Sequence, residues 1–401
     1  MNIALVHDYL SQDGGAEKVL EAFHEIWPDA PIYVLFHDED KIDRFNTDKI
    51  NQSFLSKLPF VSSKYRWYLP LMPMATEHHN LDEFDVVLSS TSAFAKGVLT
   101  PPDTLHISYC HTPTRYLWTE THEYIEQLDC NRLVKKILPG LIHRLRIWDK
   151  MSVDRVDQFI ANSETVRKRI NNYYRRESEV MYPPVETNKF EVSQETKDYF
   201  LAGGRLVSYK KFDLLVQVFN RLGWKLKIFG FGPEKEHLKD IAKSNIEILG
   251  KVSEQKKVEL YKHAKAFLHP QVEDLGLTAI ESMASGRPVI AYREGGATET
   301  VKEDVTGVFF EEQSWKCLLD KLLGFEPKGW DQDEIRSWAQ NFSKFDFKKE
   351  IKEYVYDRYE EHKKGLEQGG MGFKGGEQSE DNLQEEQEQV LFPFSSKTNL
   401  K

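Results

Sequence analysis

Short apolar runs alternate along the chain with stretches whose apolar residues return every three or four positions, the pattern of buried parallel strands joined by amphipathic helices. Asn2 to Val6 reads as a strand, and a His7 to Gly15 turn leads into the helical spacing of Ala16 to Phe23. Further strands are predicted at Ile32 to Phe36, Val86 to Ser89, Leu105 to Tyr109 and Phe159 to Ala161. A second series follows at Leu201 to Leu206, Lys225 to Phe229, Ile246 to Leu249, Ala266 to Leu268, Val289 to Tyr292 and Gly307 to Phe309. Helical spacing fills the gaps at Phe212 to Arg221, Pro233 to Ala242, Ser253 to His263 and Thr278 to Ala284. Pro183-Pro184 lies between the series and favours an extended connector. The pattern predicts an α/β chain of two Rossmann-like parallel-sheet domains, residues 1–184 and 185–345, facing a cleft where strand carboxyl ends meet helix amino termini.

Trp338 to Tyr359 reads as one long amphipathic helix, whose part from 346 to 363 either closes the second domain or crosses back to the first. From 364 to 401 the chain turns to Gly, Gln and Glu and is expected to be a disordered acidic tail ending in Leu391-Phe-Pro-Phe394. Seven of its carboxylates, against one lysine, lie between Glu367 and Val390. The tail therefore holds much of the net charge of −10, and the acidic balance argues against a nucleic-acid binder. Cys110, Cys130 and Cys317 are too few and too scattered for a disulfide framework. With no apolar run of membrane-spanning or signal-peptide length, the expected location is the cytoplasm.

Candidate chemistry clusters at strand ends. Gly14-Gly15 opens the first helix, where backbone N–H groups favour an approaching anion, although a tight turn needs the same residues. Gly230-Phe-Gly232 repeats the arrangement, but Lys235 stands where a dinucleotide-binding loop has its last glycine, which disfavours a nicotinamide enzyme. In Gly203-Gly-Arg-Leu-Val-Ser-Tyr-Lys-Lys211, a strand delivers Arg205 and the next turn delivers Lys210 and Lys211. Such cations could converge on a diphosphate and neutralise a leaving group. In Gln271 to Ala291, the Asp274-Leu275-Gly276-Leu277-Thr278 turn offers free N–H groups, and Glu281 lies one turn into the following helix. Carboxylates accept paired hydroxyl hydrogens, which suits Glu281 to a ribose and Glu273 to a hexose.

Glu273 and Glu281 resemble the Glu-x7-Glu motif of retaining family 4 glycosyltransferases with the two-domain GT-B fold. Gly203 to Lys210, Gly230-Phe-Gly-Pro, Ala279 to Ala291 and Gly295-Gly-Ala-Thr-Glu299 resemble further elements of that family. Tyr109-Cys-His-Thr-Pro-Thr-Arg-Tyr-Leu-Trp118, Ala161-Asn-Ser163 and Tyr182-Pro-Pro-Val185 look like the branch acting on bacterial polysaccharide and glycolipid intermediates, several of whose members use GDP-mannose. The resemblance covers residues 1 to about 360. It implies that Arg205 and Lys210 hold the donor diphosphate, Glu281 its ribose and Glu273 the transferred sugar. It also implies that Gly15 lets the diphosphate approach and that His111 touches the donor sugar. Lys211 stands where relatives have Gly or Arg, which leaves open the choice between Lys210 and Lys211 for the phosphate.

His111, Cys110 and His106 could also suggest a metal or a thiol nucleophile, but neither has the convergent ligands or electropositive setting it needs. Asp38-Glu-Asp40 and Asp331-Gln-Asp333 fit a metal-holding Asp-x-Asp pattern yet fall outside the expected cleft. No metal or other cofactor is expected beyond the nucleotide sugar. Arg132, Lys135, Lys136, Arg144, Arg146 and Lys150, interleaved with apolar residues and Asp149, could lie on an anionic membrane or form a core-packing helix with a solvated basic face. Phe60, Tyr65, Trp67 and Tyr68 with Lys57, Lys64 and Arg66 offer a second such segment. The expected activity is hexosyl transfer to a glycan or lipid-linked acceptor. The alternatives are a nucleotide-sugar epimerase or hydrolase of the same fold, or a non-catalytic nucleotide-sugar-binding subunit.

Overall fold

The computed structural model describes residues 1–127 and 131–371; Cys130 and the acidic segment 372–401, with Leu391 to Phe394, lie outside the described residues. Seven parallel strands form the first sheet: β1 (Ile3–His7), β2 (Ile32–Val34), β3 (Ile50–Gln52), β4 (Val86–Thr91), β5 (Leu105–Cys110), β6 (Gln158–Ala161) and β7 (Glu179–Val180). Six form the second: β8 (Phe200–Gly203), β9 (Leu226–Phe229), β10 (Ile246–Gly250), β11 (Phe267–His269), β12 (Val289–Tyr292) and β13 (Gly307–Phe310). The orders are β3-β2-β1-β4-β5-β6-β7 and β10-β9-β8-β11-β12-β13. Each order reverses beside its first strand, and in doubly wound sheets ligands settle at that reversal, outside the carboxyl ends.

Strands such as β1 and β4 are buried along their whole length, which is why they open on the apolar runs Ile3 to Val6 and Val86 to Leu88. The helix Gly15–Ile26 turns Val19, Leu20 and Phe23 into the core, and Phe212–Leu222 does the same with Leu215, Val218 and Phe219. Gly223 ends the latter at φ 70°, its N–H bonded to the Phe219 carbonyl. β3 and β7 were not predicted, because two- and three-residue edge strands carrying Asn51, Gln52 and Glu179 show no apolar run.

The expected long helix from Trp338 is broken. Gln332–Gln340 ends, and Lys344–Met371 begins after a short link. The link exists because Val185 inserts there: its N–H donates to the Phe342 carbonyl at 3.0 Å, and its own carbonyl accepts the Lys344 N–H at 2.9 Å. Ser343 restarts the helix by accepting the Asp346 N–H at 3.1 Å. The restarted helix lies against the first domain. Phe347 stacks on Phe23 and meets Tyr109 edge-on, while Lys344 and Lys348 pair with Glu25 at 2.6 and 3.0 Å. It continues past 363 to Met371, so the first residues assigned to the tail are helical.

One buried ion pair shapes the first domain near the cleft. Asp149, on the helix Arg132–Ser152, accepts from Lys96 Nζ at 2.6 Å, Thr114 Oγ1 at 3.0 Å and Trp118 Nε1 at 2.7 Å. Three separate segments thereby share one carboxylate, and the turn after His111 is anchored to the helix behind it. Removing one partner of a buried pair strands the other charge, at a cost of about 3–5 kcal/mol. Asp149→Ala should destabilise the fold by that order in urea denaturation. Unfolding unchanged within 0.5 kcal/mol, an approximate limit for surface substitutions, would contradict this role.

Candidate active site

The carboxyl ends of β1, β4 and β5 bring together groups far apart in sequence. Register pairs His7 with Ser90, and Thr91 with Cys110, so His111 leaves the sheet directly above Ser90. His111 Nε2 lies 2.8 Å from Ser90 Oγ, which lies 3.1 Å from His7 Nδ1. Beyond it, His7 Nε2 approaches Glu17 Oε1 at 4.0 Å, and Glu17 Oε2 accepts the Gly14 N–H at 2.9 Å. This buried chain fixes the ring of His111. Burial, then the neighbouring His7, pushes its pKa down to about 3, so the imidazole is neutral. The N–H of Gly14, expected to face an anion, is already used by Glu17. Gly15 instead faces the second domain, where an added methyl would sit 3.0 Å from Leu277 Cδ1.

In the second domain Lys210 is buried and forms an ion pair with Glu273. Lys210 Nζ also lies 3.1 Å from the position of a Cβ added at Gly204, beside Arg205. Burial would raise the Glu273 pKa, but Lys210, His269 and Arg115 outweigh it and hold the carboxyl below its ordinary value. Arg205 is exposed, and its guanidinium has no hydrogen-bond or salt-bridge partner among the described residues. Lys211 is exposed at φ 54°, a left-handed position that favours glycine, whereas Lys210 is the lysine that meets Glu273.

Glu281 is buried and receives three groups: Lys257 Nζ at 3.2 Å and Lys18 Nζ at 3.5 Å on Oε1, and Tyr261 O–H at 3.1 Å on Oε2. Burial again acts to raise its pKa, and these partners hold it lowered. Around the Gly276 turn, His269 Nε2, Gln271 Oε1 and Thr278 Oγ1 are buried without a hydrogen-bond partner. Buried polar atoms left unpaired are costly, and such a cluster marks a place for polar ligand groups. Leu275 is buried under the turn, and Leu277 begins the helix Leu277–Ala284. Gly230 and Gly232 have a structural reason of their own: a Cβ there would sit 1.8 and 2.1 Å from the carbonyl oxygens of Gly204 and Leu206. They let the Arg205 loop pack backbone to backbone on the loop after β9.

Asp274, expected to face the donor, extends its carboxylate across the cleft to Arg115 at 2.6 Å and to Arg169. Glu299 also crosses, accepting the N–H groups of Glu164 and Thr165 at 2.7 and 2.8 Å and the Thr165 hydroxyl at 2.7 Å. Arg169, Lys18, His7, Ser90, Lys257 and Tyr261 had no sequence signal, because each depends on which strand ends become neighbours. Arg115 and Glu299 lay within motifs already singled out, without a role. Cys110 is buried, and burial pushes its thiol pKa up, which makes it a poor nucleophile. His106 is a core residue bonded to Ser89 Oγ at 2.9 Å and the Arg155 carbonyl at 3.0 Å. Asp331 caps the helix Gln332–Gln340, and Asp38 pairs with Lys41 at 2.5 Å.

Residues 185–341 match the family described as Glycosyl transferases group 1, and residues 14–189 match that described as Glycosyltransferase Family 4. This chain is a family 4-like glycosyltransferase. An uncharacterized glycosyltransferase of Methanocaldococcus jannaschii is 27% identical over 185 residues, 44% of this chain and 52% of the relative. The match thus spans about half the length of that relative. A GDP-mannose-dependent alpha-mannosyltransferase of Corynebacterium glutamicum is 31% identical over 117 residues, 29% of this chain and 28% of the relative. In fold, the glycosyltransferase is similar to HepE of Anabaena, solved with UDP and glucose, at TM-score 0.65 and 15% identity over 89% of this chain and 99% of HepE. Its two parallel-sheet domains are those of the GT-B fold.

His106 and His269 have their pKa pushed down by burial to about 4, and His111 to about 3, against 6.5 for the free group. Below pH 6.5 the unfolded chain therefore takes up protons that the folded chain refuses. Stability from this source is intact above about pH 6.5 and falls as pH drops toward 4. Glu273 and Glu281 act in a lower window, below their ordinary 4.5. Urea midpoints of the glycosyltransferase should decline from pH 7 to 5, and His106→Gln should flatten that decline. A parent midpoint constant over this range would contradict the assignment.

Proposed function

We propose that this glycosyltransferase moves a hexose from a nucleoside diphosphate to a glycan or lipid-linked acceptor, keeping the configuration at the transferred carbon. The observation that supports it most is the pairing of Lys210 with Glu273 against Gly204, the neighbour of Arg205, together with the seating of Glu281 by Lys18, Lys257 and Tyr261. Arg205 and Lys210 would grip the diphosphate, Glu281 the ribose and Glu273 the hexose. His111, neutral and held by Ser90, would meet the sugar from the first domain. The bond from the sugar carbon to the departing phosphate oxygen breaks as the acceptor oxygen bonds on the same face. The acceptor proton passes to that phosphate, and the two cations stabilise its charge without a metal. Mannose carried on GDP is the donor we infer, in keeping with the Corynebacterium relative.

Because Arg205 has no hydrogen-bond or salt-bridge partner among the described residues, Arg205→Ala should leave the fold within about 0.5 kcal/mol of the parent. It should nevertheless cut turnover on the order of 10²-fold or more, the usual loss when a transition-state donor is removed. Glu281→Gln, which keeps the side-chain volume, should do the same. A thermal-shift screen of GDP- and UDP-sugars identifies the donor, and product analysis separates transfer from donor epimerisation or hydrolysis. Unchanged transfer by both variants would refute the reading.

For the acceptor, we infer peripheral contact with an anionic membrane. One face of Arg132–Ser152 packs into the core through Ile142 and Leu145, as a structural helix should. Arg146 and Lys150 are also engaged internally, on the carbonyls of Leu117 and Tyr174. Its other face leaves Ile137, Ile147 and Met151 exposed with Lys136 and Arg144. In the neighbouring segment Phe60 and Trp67 are each 72% exposed, and Lys64 stands 4.5 Å from the Trp67 ring. Exposed aromatics among lysines suit an anionic interface. No helix among the described residues is long and apolar enough to cross a membrane. Co-sedimentation with phosphatidylserine vesicles at low salt should fall about tenfold in a Phe60→Ala/Trp67→Ala variant. Equal binding by parent and variant would remove these residues from the contact.

A further inference from the structure

Two carboxylates of the second domain, Asp274 and Glu299, reach the same short helix of the first, Glu164–Arg169. Glu299 takes the N–H groups at its beginning, and Asp274 binds Arg169 at its end. Arg115, on the turn after His111, holds the other oxygen of Asp274 at 2.6 Å. Arg169 also donates to Thr112 Oγ1 at 3.0 Å, so both arginines are tied to the segment that carries His111. Behind the carboxylates, the Gly296 N–H donates to the Glu273 carbonyl at 2.8 Å, joining the two loops that present them. Glu273 is therefore adjacent in sequence to one of these contacts and hydrogen-bonded through its backbone to the loop that makes the other.

We propose that Arg115 and Arg169 are positioning residues that act through Asp274. With Glu299 on the helix start, they form a latch that closes the cleft and sets Glu273 and His111 at their working separation. The ionic half of the latch is partly exposed, with Asp274 14% accessible and the arginines 27% and 25%, so it can open without unfolding either domain. Opening admits the donor, and closing brings the first domain's histidine to the second domain's sugar site. Misplacing reacting groups by about 1 Å costs on the order of 10²-fold in rate, so a latch remote from the bond that breaks can still govern turnover.

The part of this proposal that concerns turnover rests on the proposed transferase activity, whereas closure is measurable without any substrate. Small-angle scattering of full-length Asp274→Asn/Glu299→Gln, without ligand, should give a larger radius of gyration than the parent. Arg169→Gln alone, a milder change should the double variant fail to fold, should give an intermediate value. In calorimetry, affinity for GDP or UDP should stay within about threefold, since Arg205, Lys210 and Glu281 are untouched. Turnover should fall by ten- to a hundredfold. Scattering from both variants superimposable on the parent would overturn the latch whatever happens to activity. Expansion with unaltered turnover would overturn the positioning role. Loss of turnover in the parent itself would count against the transferase reading and leave the scattering result standing.

Discussion

A carboxylate withdrawn from water has to be met by cations or N–H donors, and in this chain three carboxylates of the second domain are met from the first. Glu281 receives Lys18, Asp274 receives Arg115 and Arg169, and Glu299 receives the start of a helix. At these three contacts the first domain contributes positive charge and free amides, and the second contributes acids. These contacts join the loops of the two halves that face each other across the cleft. Both Glu273 and Glu281 stay ionised because cations outweigh the effect of burial, which is the state needed to accept hydroxyl hydrogens.

The same constraint operates within the first domain. His111 is neutral because it is buried, and its ring is oriented because Ser90, itself bonded to His7, holds one nitrogen. Asp149 gathers Lys96, Thr114 and Trp118 and anchors the turn that carries Arg115. The site is a set of compensated charges supported by a rigid scaffold. Arg205, alone of the proposed diphosphate ligands, has its side chain uncommitted among the described residues, whereas Lys210 must exchange or share its contact with Glu273 when an anion arrives.

Much of the fold was legible in the sequence because buried parallel strands are short, apolar and regularly spaced. The failures have local causes. β3 and β7 are edge strands without an apolar signature, and the break before Lys344 comes from Val185, more than 150 residues earlier, which no local periodicity records. Candidate site residues within one loop, such as Glu273, Glu281 and Lys210, were visible as motifs. Residues whose role requires two loops to meet were not. Asp274 was grouped with the turn expected to meet the donor, yet its carboxylate turns to the opposite domain. Gly230 and Gly232 were read as a ligand loop, yet they are also demanded by the backbone beneath them.

The insertion of Val185 between Phe342 and Lys344 means that the outward and returning crossings of the chain run side by side as a two-ply strap. A single linker would let the halves twist, slide or drift apart; two crossings hydrogen-bonded to each other at one bridge resist sliding but still bend. The easiest motion this join leaves to the halves is a bend about the bridge itself.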